Sequence, residues 1–400
     1  MKFRSLLRIV TVGSCVTCLL TGCQSIYFPY QAAKGQLELM TGSRNIDDVL
    51  VDKLVDPQTR SRLLLAAAAL EFAEDHLGLD AKGNYERYTV LNRPYVVWNV
   101  FVAPEFSTDL NRHCFPVAGC VTYRGYFKEH DAKKVAEKIR GKGDDVAVVG
   151  VAAYTTLGWF KDPLLDTFLL GSEPGLIRTL YHELAHLHLY VLGDTDWNES
   201  YASAVAELGI QALSKSQLLS LPPMADDAQW AAKKRRVERL ILTARADLAV
   251  LYDRAHSDQV MRVKKSERVA MLKAAYQNLV ADWPRPPYQR LMSGPLNNAS
   301  LALVQSYSGL TPRFIQLHEA LGGNYERFFE AVRRLSLFDA SQRRDPDLWA
   351  RVIDALNQEP TGARDQSSAN QAERSALFDH GSDRKGASAE HDGVGSGCYR

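Results

Sequence analysis

Tyr181-His182-Glu183-Leu184-Ala185-His186, followed by Asn198-Glu199, is the stretch around which the rest of this 400-residue chain is organised. Residues four apart lie on one face of a helix, so His182 and His186 can hold one metal ion together. Glu183 sits one position round, beside that ion, where it can take a proton from a bound water. A catalytic zinc carries three protein ligands and an open position, and Glu199 is the candidate for the third ligand.

The residues around the motif predict a helix. Ser172 is a good N-cap, with Glu173 and Pro174 in the first turn, where an acid and a proline are favoured. Leu176, Ile177, Leu180, Leu184 and Leu187 then recur at three- and four-residue steps and mark a buried stripe. Gly193 is expected to end the helix in a left-handed conformation. Asp196 is expected to cap a second helix from about Trp197, with Glu199 in its first turn and Tyr201, Ala202, Val205, Ala206 and Leu208 behind it. A short turn between the two helices folds them back on each other and can carry Glu199 to the histidines. Two core histidines and a surface glutamate would leave buried polar groups without partners, which is costly.

The run Asp196-Trp197-Asn198-Glu199-Ser200-Tyr201-Ala202 resembles the Asn-Glu-x-x-Ala signature of the gluzincins, zinc peptidases with a glutamate as third ligand. Roughly residues 20 to 340 resemble a family of bacterial lipoproteins labelled as putative zinc aminopeptidases. The segments that carry this are 93–100 (RPYVVWNV), 114–120 (CFPVAGC), 123–127 (YRGYF), 156–160 (TLGWF), the metal helix and Asn297-Asn298-Ala299. His186 and Glu199 are closer in sequence than in thermolysin-like enzymes, so the third ligand rests on the Asn-Glu motif. The resemblance implies a zinc-dependent hydrolase acting on peptides, an aminopeptidase by its label. The sequence shows no motif for gripping a free amine.

Composition is ordinary for a soluble globular protein: 46% hydrophobic, 24% charged, formal net charge +1. It gives no ground for a nucleic-acid partner. There is no repeat and no zinc-finger spacing. Lys2, Arg4 and Arg8 precede an apolar run from Ile9 to Leu20, too short for a stable membrane span. Leu20-Thr21-Gly22-Cys23 resembles a bacterial lipobox, so residues 1–22 read as a signal peptide and Cys23 as the lipidated first residue; an uncleaved anchor is the alternative. Gln24, and not an aspartate, follows the cysteine; the resemblance to Gram-negative lipoproteins then implies sorting to the outer membrane, with the folded part facing the periplasm. In that oxidising compartment Cys114 and Cys120 are expected to pair, free buried thiols being the alternative. Cys398 is assigned nothing.

The fold class expected is α+β, mostly helical: helices and a small sheet over 30–170, the metal helices over 172–214, and a helical region over 224–357. Together these make one peptidase-like domain from 23 to 357. Helical patterns run from Tyr30 to Leu79. Strands are expected at Tyr95–Val102, Val117–Phe127 and Val146–Tyr154, with a short helix at Ala132–Arg140. In gluzincin-like folds an edge strand pairs with substrate backbone, here Tyr123–Phe127 or Val151–Thr156, though both can be plain core strands. Asp226–His256 and Val260–Trp283 predict a helical hairpin, whose basic runs Lys233–Arg236 and Lys264–Lys265 read as solvated faces. Further helices are expected at Asn297–Tyr307, Thr311–Leu321 and Tyr325–Leu335. Residues 358–400 lose apolar periodicity and read as a disordered tail.

The implied mechanism has Glu183 as general base and acid at zinc, with a second donor for the oxyanion. Tyr307 is the candidate, with Tyr123, Tyr126 and Tyr154 as rivals, and each of the four can be packing instead. Asn198 could orient Glu199 or bond to the helix start; Glu207 could hold a histidine in place; His188 is expected to face away. Three functions remain open: a periplasmic zinc aminopeptidase, an envelope-processing endopeptidase on the same site, or a non-catalytic lipoprotein stabilised by zinc. The oligomeric state is not readable.

Overall fold

The computed structural model describes residues 27–115, 119–219 and 225–359, with no side-chain description for 225–228. The signal segment, Cys23 and residues 360–400 lie outside the described residues.

Among them the chain is α+β and mostly helical, as expected. Helix α1 (residues 27–41) leads into β1 (Ser43–Asn45), α2 (Ile46–Val51) and α3 (Pro57–Phe72). Asp56 caps α3 through Thr59 N, with Pro57 in the first turn. A π-turn, Ala73–Leu77, ends at Gly78, which takes the left-handed φ of +72° that glycine tolerates. Next come β2 (Arg87–Thr89), β3 (Val97–Ala103), β4 (His113–Phe115), β5 (Gly119–Val121), β6 (Tyr123–Tyr126), α4 (Glu129–Arg140) and β7 (Asp145–Val151). The strands expected from β-branched and aromatic runs are β3, β7 and the β5–β6 segment, each somewhat shorter than its sequence pattern.

β3 is the centre of an antiparallel sheet in the order β6-β3-β7, with Trp98 opposite Tyr126 on one side and Gly150 on the other. Of the two segments expected to pair with substrate, Tyr123–Phe127 supplies the edge strand β6, whereas Val151–Thr156 is not a strand: only Val151 belongs to the other edge, β7, and 152–156 leave the sheet. The outer edge of β6 is partly taken: Gln31 of α1 donates Nε2–H to the Gly125 carbonyl (3.0 Å) and accepts from the Phe127 N–H (3.1 Å). β4 and β5 form a hairpin cross-linked by the Cys114–Cys120 disulfide, as expected. Sequence periodicity missed a second sheet, β1-β2-β8, in which β8 (Leu164–Leu165) runs parallel to β2.

After α5 (Asp166–Leu169) come the two central helices, α6 (Glu173–His188) and α7 (Thr195–Ser216). Ser172 caps α6 through Gly175 N. Two expectations are corrected here. α6 ends at His188, with Leu189 extended, so the left-handed Gly193 (φ +81°) shapes the connecting loop and does not terminate the helix. The cap of α7 is Asp194, whose carboxylate accepts from Trp197 N, and not Asp196, which accepts from Ser306 Oγ. Asp194 is chosen because buried Arg343 and exposed-tip Arg344 close on it at 2.7 and 2.8 Å.

α8 (Ala225–Tyr252) and α9 (Asp258–Val280) form the expected hairpin, followed by α10 (Gln289–Ser293), α11 (Asn298–Ser308), α12 (Thr311–Ala320), α13 (Tyr325–Ser336) and α14 (Pro346–Gln358). α14 runs to the edge of the segment read as a tail, and Glu359 still pairs with Arg334. The main core surrounds α6 and α7: Leu176, Leu180, Tyr181, Trp197, Tyr201 and Phe314 are all essentially inaccessible. Gly209 lets the helices meet, because a Cβ there would lie 2.6 Å from Tyr181 Cδ2 and 3.0 Å from Leu77 Cδ1. A second core joins α8, α9 and α11. Among the described residues no helix is long and apolar enough to cross a membrane.

Candidate metal centre and its cleft

α6 presents His182 and His186 one turn apart on a single face, and the first turns of the antiparallel α7 bring Glu199 to them. The intervening loop is fixed by Asn198, which accepts from Val191 N (2.8 Å) and donates to Val191 O (2.7 Å). Asn198 thus bonds to its helix start and loop; it does not touch Glu199's carboxylate. His182 Nε2 lies 3.2 Å from Glu199 Oε2 and 3.2 Å from His186 Nε2, and His186 Nε2 lies 3.9 Å from Glu199 Oε2. Donor atoms about 2.05 Å from a tetrahedral ion stand about 3.4 Å from one another. The three atoms already have that spacing, and the His₂Glu set suits zinc. This is the one group of three or more potential metal ligands among the described residues.

The electrostatics match the geometry. Burial pushes His186 down to about 4, which keeps its imidazole neutral, as a ligand must be. Burial also pulls at His182, but its hydrogen bond and attraction to Glu199 leave it above its ordinary value. Burial would raise Glu199; bonding to His182 and the charges nearby hold it lower and ionised. A divalent ion bound there would take over the attraction to Glu199 that favours the proton on His182. Burial pushes Glu183 up to about 7, helped by Glu199 and Asp162 against the opposing pull of His182. A carboxylate in that range is matched to proton transfer near neutral pH.

Three tyrosines surround the triad. Tyr307 stacks over His182, with centroids 6.3 Å apart, and its phenol helps hold the Glu199 carboxyl down. Tyr190 meets the His186 ring edge-on at 6.0 Å. Tyr123, at the start of β6, reaches the same cavity, and burial raises its phenol. Of the other rivals, Tyr126 is buried against Phe28 in the sheet, and Tyr154 lines the cleft but packs on Phe127. Tyr190 was not singled out in the sequence: it lies past the end of α6, in the extended loop held by Asn198, where helical spacing gives no signal.

Other expected participants have different partners. Glu207 faces the Arg178 guanidinium at 3.6 Å and accepts from Gln211, so it holds neither histidine. His188 is on the far side, bonded to the Tyr201 hydroxyl at 2.9 Å. Asn297 caps α11, and Asn298 donates to the Glu105 carbonyl and accepts from Tyr252. Within the basic runs, Lys233 and Arg236 lie over the Trp283 ring, Lys234 pairs with Glu238, and Lys265 anchors the hairpin to Asp145.

The triad lies in a cavity of about 1550 Å³, larger than the usual small-molecule site. Its floor follows α7 from Glu199 past Ser203 and Glu207 to Gln211. Twelve helical residues rise about 18 Å, the length of roughly five residues of extended peptide. One wall comes from α1 and the 152–160 segment, the other from α8, α11 and α12.

Residues 27–346 of the chain match the family model described as "Putative aminopeptidase". No curated protein and no solved structure matches it.

Proposed function

The chain belongs to that aminopeptidase family, and from this premise we propose that it is a zinc-dependent peptidase with its centre at His182, His186 and Glu199. The observation that carries the proposal is the convergence of these three donors at ligand spacing, with Glu183 alongside in an open cleft. A divalent ion bound there would acidify water and polarise a scissile carbonyl.

The protein's own groups do the rest. Glu183, raised towards neutrality, takes the proton from the attacking water and returns it to the departing amine. Tyr307, its hydroxyl beside the triad, donates to the oxyanion that develops on the carbonyl. Tyr190 and Tyr123 narrow the space around them. The outer edge of β6 keeps only its Tyr123 end for substrate backbone, because Gln31 holds Gly125 and Phe127.

Cleavage inside chains is the second reading, favoured by the length of the trough along α7. Peptides with free and blocked amines separate the two. The proposal also takes the protein to be anchored through Cys23 to the outer membrane and facing the periplasm, on the sequence Leu20-Thr21-Gly22-Cys23. The Cys114–Cys120 disulfide supports an oxidising compartment.

The test is zinc content and peptide hydrolysis by the purified protein, wild type against Glu183→Gln. One zinc per chain in both, with turnover abolished only in the variant, is expected. Wild-type turnover by Glu183→Gln, or no stoichiometric zinc in either, would overturn the proposal.

A further inference from the structure

The cleft has two chemically different sides. On the side of α7, α8 and α12 the lining is charged: Arg178 pairs with Glu207 and Lys234 with Glu238, and Arg235 and Glu319 line it too. On the α1 side the rim is apolar and exposed: Trp159 is 68% accessible, Leu37 60%, Phe160 45% and Met40 42%, and all four line the same cavity as the metal triad. Scattered surface apolar residues are normal. Four large ones, from a helix and a distant loop, lining one cavity are not scattered, and exposed apolar groups gathered at a cleft mark binding surfaces.

The loop that displays Trp159 and Phe160 is held in place. Asp162, 3% accessible, accepts from Thr155 Oγ1 (3.0 Å), Thr156 N (2.7 Å) and Thr156 Oγ1 (2.9 Å). Phe160 N donates back to Thr156 Oγ1 at 3.1 Å. Asp162 is itself tied to the scaffold by its N–H to Asn84 Oδ1 and its carbonyl to Tyr85 N. Leu157 and Gly158 take successive left-handed conformations, φ +55° and +82°, and such a value is unusual for leucine. Strain of this kind persists only where surrounding contacts over-determine it. The fold spends these bonds to point two aromatic rings at solvent. The loop's charges are also turned from the rim: Asp162 is consumed by the threonines, and Lys161 donates its ammonium to the Lys82 carbonyl.

We propose that Trp159 and Phe160, with Leu37 and Met40 of α1 on the same wall of the cavity, form a preorganised apolar subsite that selects polypeptide substrates carrying large hydrophobic side chains on that flank of the scissile bond. The inference rests on the peptidase reading for its chemistry, but the binding it describes does not require turnover. Rigid aromatic groups lose little freedom on binding, which makes them effective anchors. An uncharged rim leaves nothing to pair with a charged side chain, so polar peptides gain nothing there. Ala153 and Tyr154, earlier in the same segment, line the cavity that holds the triad as well, which favours a peptide lying along the cleft over a membrane touching its lip.

Two fluorogenic peptides of equal length and charge test this, one with Leu and Phe flanking a central Ala-Ala, the other with Ser and Gln there. Wild type should prefer the apolar peptide by at least about tenfold in kcat/KM, the discrimination one apolar pocket supplies. In Trp159→Ser/Phe160→Ser that ratio should fall to about two or less, and Leu37→Gln/Met40→Gln should lower it independently. Fluorescence anisotropy of the same peptides on Glu183→Gln should show the same preference, lost when the Ser changes are added. Selective binding without hydrolysis would sustain the subsite and refute the peptidase. Hydrolysis with no preference, or a preference unchanged in both double variants, would refute the subsite. Loss of vesicle co-sedimentation in Trp159→Ser/Phe160→Ser with the peptide ratio unchanged would also refute it, by assigning the patch to lipid.

Discussion

Replacing Asp194 by alanine is expected to cost about 4 kcal/mol of folding stability. The side chain is 4% accessible and meets Arg343, 6% accessible, at 2.7 Å and Arg344 at 2.8 Å. Removing one partner of a buried pair typically costs about 3–5 kcal/mol, because the other charge stays buried alone. Loss of the α7 cap through Trp197 N adds about 1 kcal/mol, partly contained in the same figure. Against a total of about 5–15 kcal/mol, that is a large share. Asn caps nearly as well as Asp, so Asp194→Asn should recover about 1 kcal/mol and isolate the ionic part. Asp194→Asn with Arg343→Met should return most of the remainder, since no unpaired charge is then buried and Arg344 reaches solvent. Burial would raise the Asp194 carboxyl, but Arg344 and Arg343 hold it below 3.8. Its contribution is therefore present above the ordinary carboxylate range and is lost as pH falls through the lowered value. The gap between wild type and Asp194→Asn should close in that acid window. Because Glu199 is five residues into the same helix, zinc should bind Asp194→Ala about 10–100-fold more weakly. Urea unfolding and zinc competition titrations measure both. A stability loss under about 1 kcal/mol would show that the two arginines do not depend on this carboxylate, and the account of the cap would fail.

Three further outcomes follow from other parts of the molecule. Glu183, pushed up to about 7, must be deprotonated to act, so kcat/KM should fall on the acid side, with a limb between 4.5 and 7 as a bound cation draws the value down; a flat pH profile down to 4.5 would count against it as the base. Gly209→Ala should lose about 1–2 kcal/mol net, since overpacking against Tyr181 and Leu77 outweighs the better helix propensity; thermal unfolding reads this, and a gain in Tm would mean the helices can part. Cys114→Ser/Cys120→Ser should cost about 2 kcal/mol by the loop-entropy estimate for a six-residue separation, measured by denaturant unfolding.

The convergence of His182, His186 and Glu199 was legible because its signal is local. Two histidines four apart in a capped apolar helix need only helical geometry to converge, and the next helix follows within a few residues. The cap of α7 was misread because Asp194 and Asp196 flank Thr195 and both suit an N-cap; the decision is made by Arg343 and Arg344, some 150 residues away. Glu207 was similarly within reach of a histidine on paper, and Arg178, a turn before His182, claims it. The β1-β2-β8 sheet has strands of two or three residues, too short to show a period of two. The apolar rim was invisible for a different reason. Residues 156–160 entered the sequence reading only as a segment of the family resemblance, and nothing in them announces that Leu37 and Met40 will line the same cavity.

Gln31 gives α1 a second role. A carboxamide offers one N–H and one C=O side by side, as a peptide unit does, so a single side chain impersonates a neighbouring strand at Gly125 and Phe127. A sheet border left bare would recruit any passing extended segment, including another copy of this chain. With one glutamine stationed there, the edge stays open beside Tyr123 while the adjacent stretch at Gly125 and Phe127 is covered.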